Sequence, residues 1–370
     1  MKKVVYILEQ FYLHGGIEKI TAAKVNWLIM NGYEVTIIVN SQQNKPFVYP
    51  LLEAVNFIDL ALDYQSGISY FHPKNLIKAP RHIFKLHKLL NKLKPNVVIM
   101  LSLQFDHYTL PFITSAKTIR EHHSSRYYYA IDRKKTTSIF KKLKYSFEDY
   151  ILTKYSHNVA LTPDEKKHYK ANNLKVIPNG IVSSNNTLNL ARKKIVLAAG
   201  RISKVKNFEH LLAIWQQLTV KYPDWQLHIY GGGAIAYEKQ LNQKIKDLGI
   251  AKTTCLCGNT TELAKKMQEA AIYAMTSHTE CYPMVLLEAQ EAGLPIISYD
   301  CPYGPRNIIQ DELDGVLVEN QNKEAFAIQL EKLILDETKR TEMSKHAIVA
   351  VNKNRLAVIM EEWVKLFKTD

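Results

Sequence analysis

Short apolar runs alternate with amphipathic stretches along the whole chain. The first run, residues 4–8, is followed by a loop with Gly15 and Gly16, a helical pattern that ends near residue 31, and a second apolar run at residues 35–39. This order predicts a β–α–β unit. Further buried strands are predicted at residues 97–101, 118–119 and 159–161, with lysine-rich helices between them. The pattern of the first half therefore predicts a doubly wound parallel sheet.

The same alternation starts again at residue 195. Strands are predicted at residues 195–199, 225–230, 254–257, 272–275 and 295–298, with helices at 208–222, 262–271, 285–292, 325–335, 342–353 and 356–367. The second half thus predicts another parallel α/β domain. We expect two Rossmann-like domains that face a central cleft, with ligands at the carboxyl ends of the strands.

A polar, turn-rich stretch separates the two series. The alternation breaks at Pro178, and the residues through 192 have the composition of a linker. We predict an N-terminal domain at residues 1–178, a linker at 179–192, a C-terminal domain at 193–354, and a final helix at 355–370 that packs back on the N-terminal domain.

The composition is that of a folded protein of about two domains. The chain has 370 residues, of which 46% are hydrophobic and 23% charged. No apolar run reaches the ~18–20 residues of a membrane-spanning helix, and the first run is shorter than the ~7–15 apolar residues of a signal peptide. The four cysteines form only a C-x-C pair, at Cys255 and Cys257, which favours unpaired thiols over a zinc or redox motif. We therefore expect a cytoplasmic protein.

Positive charge is concentrated in the first half. Residues 1–190 carry 26 Lys and Arg against 13 Asp and Glu, whereas the remaining residues carry 23 against 22. Two stretches, residues 74–94 and 127–155, interleave cations with apolar residues, as helices on an anionic membrane surface do. The same pattern fits surface helices that pack on their own domain. Nucleic acid is a third possible partner for clustered cations, but we find no nucleic-acid-binding motif and expect no such partner.

The strongest chemical signal lies at residues 280–288. A predicted strand is followed by a loop with Glu280, then by a helix that begins near Pro283 and bears Glu288. Free N–H groups at a helix N-terminus bind phosphate, so an anion there would have a carboxylate on either side to accept hydrogen bonds from sugar or ribose hydroxyls. Two glutamates eight residues apart are common, and it is the strand–loop–helix context that favours a binding site.

A basic loop at residues 200–207 also lies between a strand and a helix. Arg201 could bind a diphosphate through its planar guanidinium, and Lys206 could bind it as a point charge. Together they would neutralise a leaving group. The alternative is a basic loop that only caps the following helix.

Two glycine turns and a histidine pair complete the candidates. Gly15 and Gly16 follow the first strand, and residues 231–233 follow a later one. Glycine lets backbone approach a ligand, although neither turn has the G-x-G-x-x-G pattern and each also fits an ordinary turn. His122 and His123 follow a short strand, where an imidazole could orient a sugar hydroxyl or a reacting group, or only satisfy local hydrogen bonds.

Together these segments resemble bacterial glycosyltransferases of family 4, which have the two-domain GT-B fold. The resemblance covers nearly the whole chain and rests on HGGIEKI, VIPNGI, AAGRISKVKNFEHLL, WQLHIYGGG and, most specifically, SHTECYPMVLLEAQEAGLPIISYDCPYGPRNII. It implies an α/β protein of two Rossmann-like, doubly wound parallel-sheet domains. The C-terminal domain would bind a nucleotide-diphosphate sugar and the N-terminal domain would receive the acceptor.

The resemblance also implies roles for individual residues. Glu288 would bind the ribose, Arg201 and Lys206 the diphosphate, and Glu280 the donor sugar hydroxyls. His122 would contact the donor sugar near the reacting carbon, which makes His122 and Glu280 the catalytic candidates. The binding candidates are completed by loop and turn residues that approach the ligand through their backbone: Gly15, Gly16, Tyr282, Pro283, Met284 and Val285. Cys281 stands where the family commonly has glycine.

The implied chemistry is sugar transfer with retention of anomeric configuration and without a metal ion or other cofactor. The chain has no D-x-D-like motif, and two cations could neutralise charge in place of a metal. The segment DCPYGPRNII resembles transferases that use UDP-linked galactose, N-acetylgalactosamine or glucose in surface polysaccharide assembly. We therefore expect a glycan acceptor, linked to a lipid diphosphate, and a peripheral position on the inner face of the cell membrane.

Two other functions remain open at this point. A GT-B nucleotide-sugar epimerase would share the fold but would form no new glycosidic bond. A non-catalytic basic protein that binds membrane or nucleic acid would keep its salt-sensitive binding when Arg201 and Glu288 are replaced.

Overall fold

The computed structural model describes residues 2–65, 67–101, 104–183 and 191–369. The chain divides into two units: unit 1 comprises Met1–Val182 and Leu356–Asp370, and unit 2 comprises Ser183–Arg355. The predicted linker, residues 179–192, begins in unit 1 and ends in unit 2. Its residues 184–190 lie outside the described residues.

The described part of unit 1 contains a seven-stranded sheet with helices between the strands. The strands are β1 Lys3–Leu8, β2 Glu34–Val39, β3 Asn56–Asp59, β4 Val97–Met100, β5 Lys117–Glu121, β6 His157–Ala160 and β7 Leu174–Val176. The helices are α1 Gly16–Met30, α2 Pro73–Leu76, α3 Ala79–Leu93, α4 Phe105–Ile113, α5 Tyr127–Lys135 and α6 Ile139–Lys154. All neighbouring strands are parallel, in the order β3-β2-β1-β4-β5-β6-β7.

The central strands of unit 1 are almost continuously apolar because helices cover both faces of a parallel sheet. Val5, Ile7, Ile38 and Val98 share one core cluster with Leu86 of α3. The strand order reverses around β1, which lies between β2 and β4. In doubly wound sheets such a reversal opens a crevice at the carboxyl ends of the strands, where ligands bind.

Unit 2 repeats this design, with six parallel strands among its described residues, in the order β10-β9-β8-β11-β12-β13. The strands are β8 Ile195–Ala199, β9 Gln226–Tyr230, β10 Thr254–Gly258, β11 Ile272–Met275, β12 Ile296–Tyr299 and β13 Gly315–Val318. The helices are α7 Phe208–Thr219, α8 Ile235–Asp247, α9 Leu263–Glu269, α10 Met284–Glu291, α11 Lys323–Leu335 and α12 Glu337–Ala350. Here the order reverses around β8.

The last helix, α13 Leu356–Lys368, belongs to unit 1. Its Trp363 is fully buried, and the Nζ of Lys24 on α1 lies 4.1 Å from the centre of the indole ring. A cation over the face of an indole is attracted by the ring quadrupole. The helix is therefore tied to unit 1 by a charged contact as well as by apolar packing.

The predicted doubly wound α/β fold of both domains is confirmed, but the two lysine-rich stretches are not single helices. Residues 74–94 divide into α2 and α3 because Pro80 lies in the first turn of α3, where proline starts a helix. Residues 127–155 divide into α5 and α6 because the Ser138 side chain caps α6 by accepting from the Lys141 N–H. The four cysteines are unpaired. No helix in the described ranges is both long enough and apolar enough to cross a membrane.

Candidate functional site

Two loops at the carboxyl edge of the unit 2 sheet are in close backbone contact at two glycines. Gly200 follows β8 with a φ of 154°, and Gly231 follows β9 with a φ of 134°. A Cβ added at Gly231 would lie 1.9 Å from the carbonyl oxygen of Gly200. The N–H of Ile202 donates to the carbonyl of Gly232 at 2.9 Å. The loop that starts at Gly200 is therefore held against the β9 turn.

This loop places its two predicted cations differently. Lys206 ends a short 3₁₀ turn, and its Nζ lies 2.5 Å from Oε1 of Glu280. Arg201 is exposed and has no ion pair or hydrogen-bond partner for its side chain among the described residues. The structure thus brings Lys206 together with a predicted site carboxylate and leaves Arg201 at the surface.

Glu280 is fixed by both its backbone and its carboxylate. Its N–H donates to the carbonyl of Pro302 at 2.9 Å, and its own carbonyl accepts from the N–H of Tyr303 at 2.8 Å. The carboxylate accepts from the Ser277 hydroxyl at 2.7 Å and from Lys206. Because its donors are already aligned, this carboxylate is an oriented acceptor with one side chain ammonium beside it.

Helix α10 begins directly after this loop, with Pro283 as its N-cap. The N–H groups of Met284 and Val285 have no acceptor within the helix, as in the first turn of any α-helix. Tyr282 is buried, and its hydroxyl accepts a hydrogen bond from Asn354 inside unit 2. What these predicted residues offer a ligand is therefore backbone N–H rather than side chains.

The charges of Glu280 and Glu288 both affect the ionisation of one buried phenol, that of Tyr273. Tyr273, on β11, is fully buried and donates to the carbonyl of Ala199 at 3.1 Å. Burial raises the pKa of Tyr273 well above its usual value, and the negative charges of Glu288 and Glu280 raise it further. Both predicted carboxylates therefore contribute to the electrostatics at Tyr273, the phenol that donates to the last residue of β8.

Unit 1 contains a cavity of about 280 Å³. Its walls come from the carboxyl ends of β1, β4 and β5, where the strand order reverses, and from α1, α4 and α6. Among the side chains that line it are Glu18, His107, Arg120, His122, Arg126 and Tyr169.

His122 lies in this cavity with a defined protonation state. Its Nε2 is 3.2 Å from Oδ1 of Asn158, and the Asn158 amide nitrogen donates to the carbonyl of Leu152 at 2.8 Å. The Asn158 oxygen is therefore the acceptor, and His122 carries its proton on Nε2. Burial and the charges of Arg120 and Arg126 hold the pKa of His122 well below its usual value. The ring is thus neutral, and Nδ1 keeps a lone pair.

The neighbouring His123 belongs to a buried ionic group. Its Nε2 lies 3.1 Å from Oε1 of Glu121, which also pairs with Nζ of Lys24. The side chains of Glu121 and Lys24 are 0% and 1% exposed. Of the two adjacent histidines, His123 is tied to this group and His122 to Asn158.

In unit 1, the glycine loop before α1 lies against the carboxylate of Glu18 on that helix. Gly15 is the N-cap of α1, and a Cβ added there would lie 2.1 Å from Oε2 of Glu18. Glu18 is buried, and its other oxygen accepts from Gln10 at 3.3 Å. The backbone at Gly15, which was predicted to approach a ligand, therefore already faces a carboxylate. Gly16, next in the chain, is exposed.

Sequence reasoning did not select several side chains that line the cavity. Arg120 lies on β5, Arg126 is the N-cap of α5, His107 lies on α4, and Tyr169 follows the 3₁₀ helix Pro163–His168. The sequence does not single out Arg120 either, because its strand, Lys117–Glu121, carries three charged residues among five.

Metal binding was not expected. Within the ranges that the structure describes, no three His, Cys, Asp or Glu side chains come together in a group that could hold a metal ion. The expectation of catalysis without a metal or other cofactor stays a prediction.

Comparison with known protein families matches both halves of the chain. The model described as Glycosyltransferase Family 4 matches residues 14–184, and the model described as Glycosyl transferases group 1 matches residues 183–349.

Individual proteins agree with these matches. An uncharacterized glycosyltransferase of Haemophilus influenzae is 29% identical over 370 residues, which is 98% of this chain and 99% of that protein. The amylovoran biosynthesis glycosyltransferase AmsD of Erwinia amylovora is 37% identical over 152 residues, 41% of this chain and 42% of AmsD. Among solved structures, a mutant of Staphylococcus aureus TarM, in complex with fondaparinux, α-GlcNAc-glycerol and UDP, has a TM-score of 0.79. It is 14% identical, with 100% of each chain covered.

Proposed function

This chain belongs to glycosyltransferase family 4 and has the GT-B fold, and from this premise we propose that it moves a hexose or N-acetylhexosamine from a nucleotide-diphosphate sugar to a glycan acceptor, with retention of anomeric configuration. The observation that carries the proposal is the ion pair between Lys206 and Glu280, three residues before the N-cap of α10, the helix that bears Glu288. The carboxylates suit vicinal hydroxyls, whereas the ammonium and the helix N-terminus suit a diphosphate. A nucleotide-diphosphate sugar carries both kinds of group.

The donor that we propose is UDP-linked, of the galactose, N-acetylgalactosamine or glucose type. The TarM structure, which shares the fold, contains UDP. AmsD is named for the biosynthesis of amylovoran. These likenesses, together with the segment DCPYGPRNII, support a role in cell-surface polysaccharide assembly.

In the proposed step, the acceptor hydroxyl oxygen attacks the anomeric carbon on the face from which the nucleoside diphosphate leaves. The bond from that carbon to the phosphate oxygen breaks, and the hydroxyl proton passes to this leaving oxygen. Arg201 and Lys206 would bind the diphosphate as its charge develops, a task that a metal ion performs in other enzymes. His122, neutral and with a lone pair on Nδ1, would accept a hydrogen bond from a donor sugar hydroxyl.

Thermal unfolding with UDP, GDP and ADP tests the donor site. A nucleotide at ~100 times its dissociation constant adds about 2.7 kcal/mol to the free energy of unfolding, or roughly 5–11 °C for a unit of this size. We expect a shift with UDP that is lost in Glu288→Gln, which removes the charge and keeps the shape. Glu342→Gln, on the exposed surface of α12, should keep the shift. No shift of the wild-type protein with any nucleotide would refute the donor site.

Product analysis tests the reaction itself. With a UDP-sugar and an acceptor glycan, we expect a new glycosidic bond whose anomeric configuration, read by NMR, equals that of the donor. A product of inverted configuration would refute retention. Epimerised UDP-sugar formed without acceptor would identify an epimerase instead.

We further propose that unit 1 binds an anionic membrane surface through α6. Apolar side chains that are at least half exposed follow one another along a single stripe of this helix: Ile139, Phe140, Leu143, Phe147 and Tyr150. Lysines lie beside this stripe, at positions 141, 142 and 144. An uncovered apolar stripe flanked by cations is typical of helices in the lipid interface. The position that we propose is peripheral, on the inner, cytoplasmic face of the cell membrane, with a lipid-linked acceptor.

Sedimentation with vesicles tests this surface. We expect the wild-type protein to bind anionic vesicles at low salt and the Phe140→Ser/Leu143→Ser variant to stay in solution. Ile328→Ser, at an exposed apolar position on α11 of unit 2, is the control. If the wild-type protein binds anionic vesicles neither at low nor at high salt, the membrane proposal is wrong.

A further inference from the structure

The cavity of unit 1 contains a buried guanidinium without a carboxylate partner. Arg120 is 2% exposed. It donates from one terminal nitrogen to the carbonyl of Met100 at 2.8 Å, and its Nε is buried with no partner among the described residues. No carboxylate of the described residues lies within ion-pair distance of it. A buried cation that is left unpaired is costly, and proteins ordinarily neutralise it.

A second guanidinium lines the same cavity. Arg126 is 6% exposed and lies between the rings of Tyr129 and Tyr169, at 4.8 and 4.4 Å from their centres. One terminal nitrogen donates to Glu148 at 2.8 Å, whereas the other is buried and has no partner in the described part of the chain. Burial lowers the pKa of Arg120, and the like charge of Arg126 lowers it further, whereas the negative charge of the buried Asp106 raises it. Two cations are therefore gathered in one place against their mutual repulsion.

The carboxylates that line the cavity do not supply the missing charge. Glu9 accepts from the hydroxyl of Tyr70 at 2.7 Å, and Glu18 accepts from Gln10 while it folds onto the start of α1. Glu148 is shared between Arg126 and the hydroxyl of Tyr129. Each of these carboxylates thus has its own donor, and none of them pairs with Arg120.

The imidazoles of the cavity add hydrogen-bonding groups without adding charge. Burial, together with Arg120 and Arg126, holds the pKa values of His107 and His122 well below their usual range. The Nε2 of His107 is buried and unpartnered within the described residues. The cavity therefore combines two guanidiniums and three carboxylates, each of which has a donor of its own, with neutral imidazoles.

From these observations we propose that Arg120 and Arg126 bind a phosphoryl group carried by the acceptor. A phosphoryl dianion offers oxygens to two guanidiniums at once, and the planar fork of arginine matches its geometry. The inference rests on the proposed function, because it names the acceptor class of the same reaction. It assigns the anion to the acceptor rather than to the donor because the proposed donor site has its own cations, Arg201 and Lys206, in unit 2.

Calorimetric titration of inorganic phosphate into the full chain tests the site. Saturating UDP is present so that the cations of unit 2 are occupied, and acetate at matched ionic strength is titrated in parallel. We expect phosphate to bind the wild-type protein and to bind Arg120→Met roughly ten- to hundredfold more weakly, the loss that removal of a charge-assisted hydrogen bond produces. Arg133→Met, which removes an arginine paired with Asp149 outside the cavity, is the matched control and should bind phosphate normally.

A variant that fails to fold is recognised by circular dichroism. Arg120→Lys then replaces it, because lysine keeps the positive charge but lacks the planar guanidinium. We expect its phosphate affinity to lie between those of the wild-type protein and Arg120→Met. Phosphate binding that is equal in wild type and variants, no phosphate binding to the wild type, or acetate binding as tight as phosphate would each overturn the inference. Failure of the proposed function is distinguishable, because it appears as absent UDP binding, whatever Arg120→Met does to phosphate.

Competition against phosphate then distinguishes the source of the group. Glycerol phosphate represents a polyol phosphate acceptor and farnesyl phosphate a lipid one. The inference expects at least one of them to displace phosphate from the wild-type protein, and the tighter competitor identifies the source. Displacement by neither would overturn it.

Discussion

Replacement of Glu121 by glutamine should destabilise unit 1 by about 3–5 kcal/mol, because it leaves the ammonium of Lys24 buried without a counter-ion. Both side chains are essentially inaccessible to solvent, and Glu121 also lies 3.1 Å from Nε2 of His123. The pair links α1 to the strand that carries Arg120 and leads into His122. Loss of the pair should therefore affect the geometry of the cavity as well as the stability of the unit.

The same pair predicts how stability depends on pH. Burial alone would raise the pKa of Glu121, but the charges of Lys24 and His123 and their hydrogen bonds lower it from 4.5 to about 2. Because the folded-state pKa lies below the unfolded one, this stabilisation is fully present above about pH 4.5 and is lost as the pH falls towards 2. At about 1.4 kcal/mol per pKa unit, the stabilisation is about 3 kcal/mol.

Urea unfolding at about pH 5 and about pH 3 measures both effects, with hydrogen exchange of β5 peptides reporting unit 1 separately from unit 2. The wild-type protein should lose more stability between these pH values than Glu121→Gln. The double variant Lys24→Met/Glu121→Leu should recover most of the loss, since an apolar pair can replace a buried ion pair. If Glu121→Gln costs less than ~1 kcal/mol, or keeps the wild-type pH dependence, the reasoning is refuted.

Three further predictions concern single positions. Arg192 donates to five backbone carbonyls around the ends of α9 and α10, so Arg192→Ala should destabilise unit 2 by roughly 3 kcal/mol in urea unfolding. Gly231→Ala should lower the free energy of unfolding several times more than Gly249→Ala does, and it should weaken UDP binding. Both glycines have positive φ, but of these two only Gly231 would place an added Cβ against a carbonyl oxygen, that of Gly200, at 1.9 Å. Because the pKa of His122 lies well below 6.5, the transfer rate should show no titration of His122 near pH 6.5; a rate loss with its midpoint there, absent from His122→Asn, would contradict the neutral ring.

The candidate site residues of unit 2 could be selected from the sequence because they lie on a few contiguous loops. Glu280 and Glu288 are separated by a short loop and the first turn of α10, so both could be chosen from one strand–loop–helix pattern. The ion pair with Lys206 could not be predicted in this way. It depends on two strands, β8 and β11, that are adjacent in the sheet but far apart in the chain.

Some elements of the fold also lack a sequence signal. β3 Asn56–Asp59 has no fully buried residue, and β7 Leu174–Val176 has only three residues. Both are edge strands, which pair through their backbone on one side and need no continuous apolar run. The strands β1, β2 and β4 were predicted because they are buried on both faces and therefore form continuous apolar runs.

A count of charges does not distinguish buried cations from exposed ones, and unit 1 contains both kinds. The excess of cations in residues 1–190 suggested a surface, yet the structure divides these cations into two kinds. Lysines beside the α6 stripe lie on the surface, where salt screens their attraction to lipid. Arg120 and Arg126 are buried, where screening is weak, and Arg120 has no carboxylate partner among the described residues. Raised salt should therefore release the chain from vesicles while a phosphoryl ligand stays bound, and this difference separates a membrane face from an acceptor site within one basic unit.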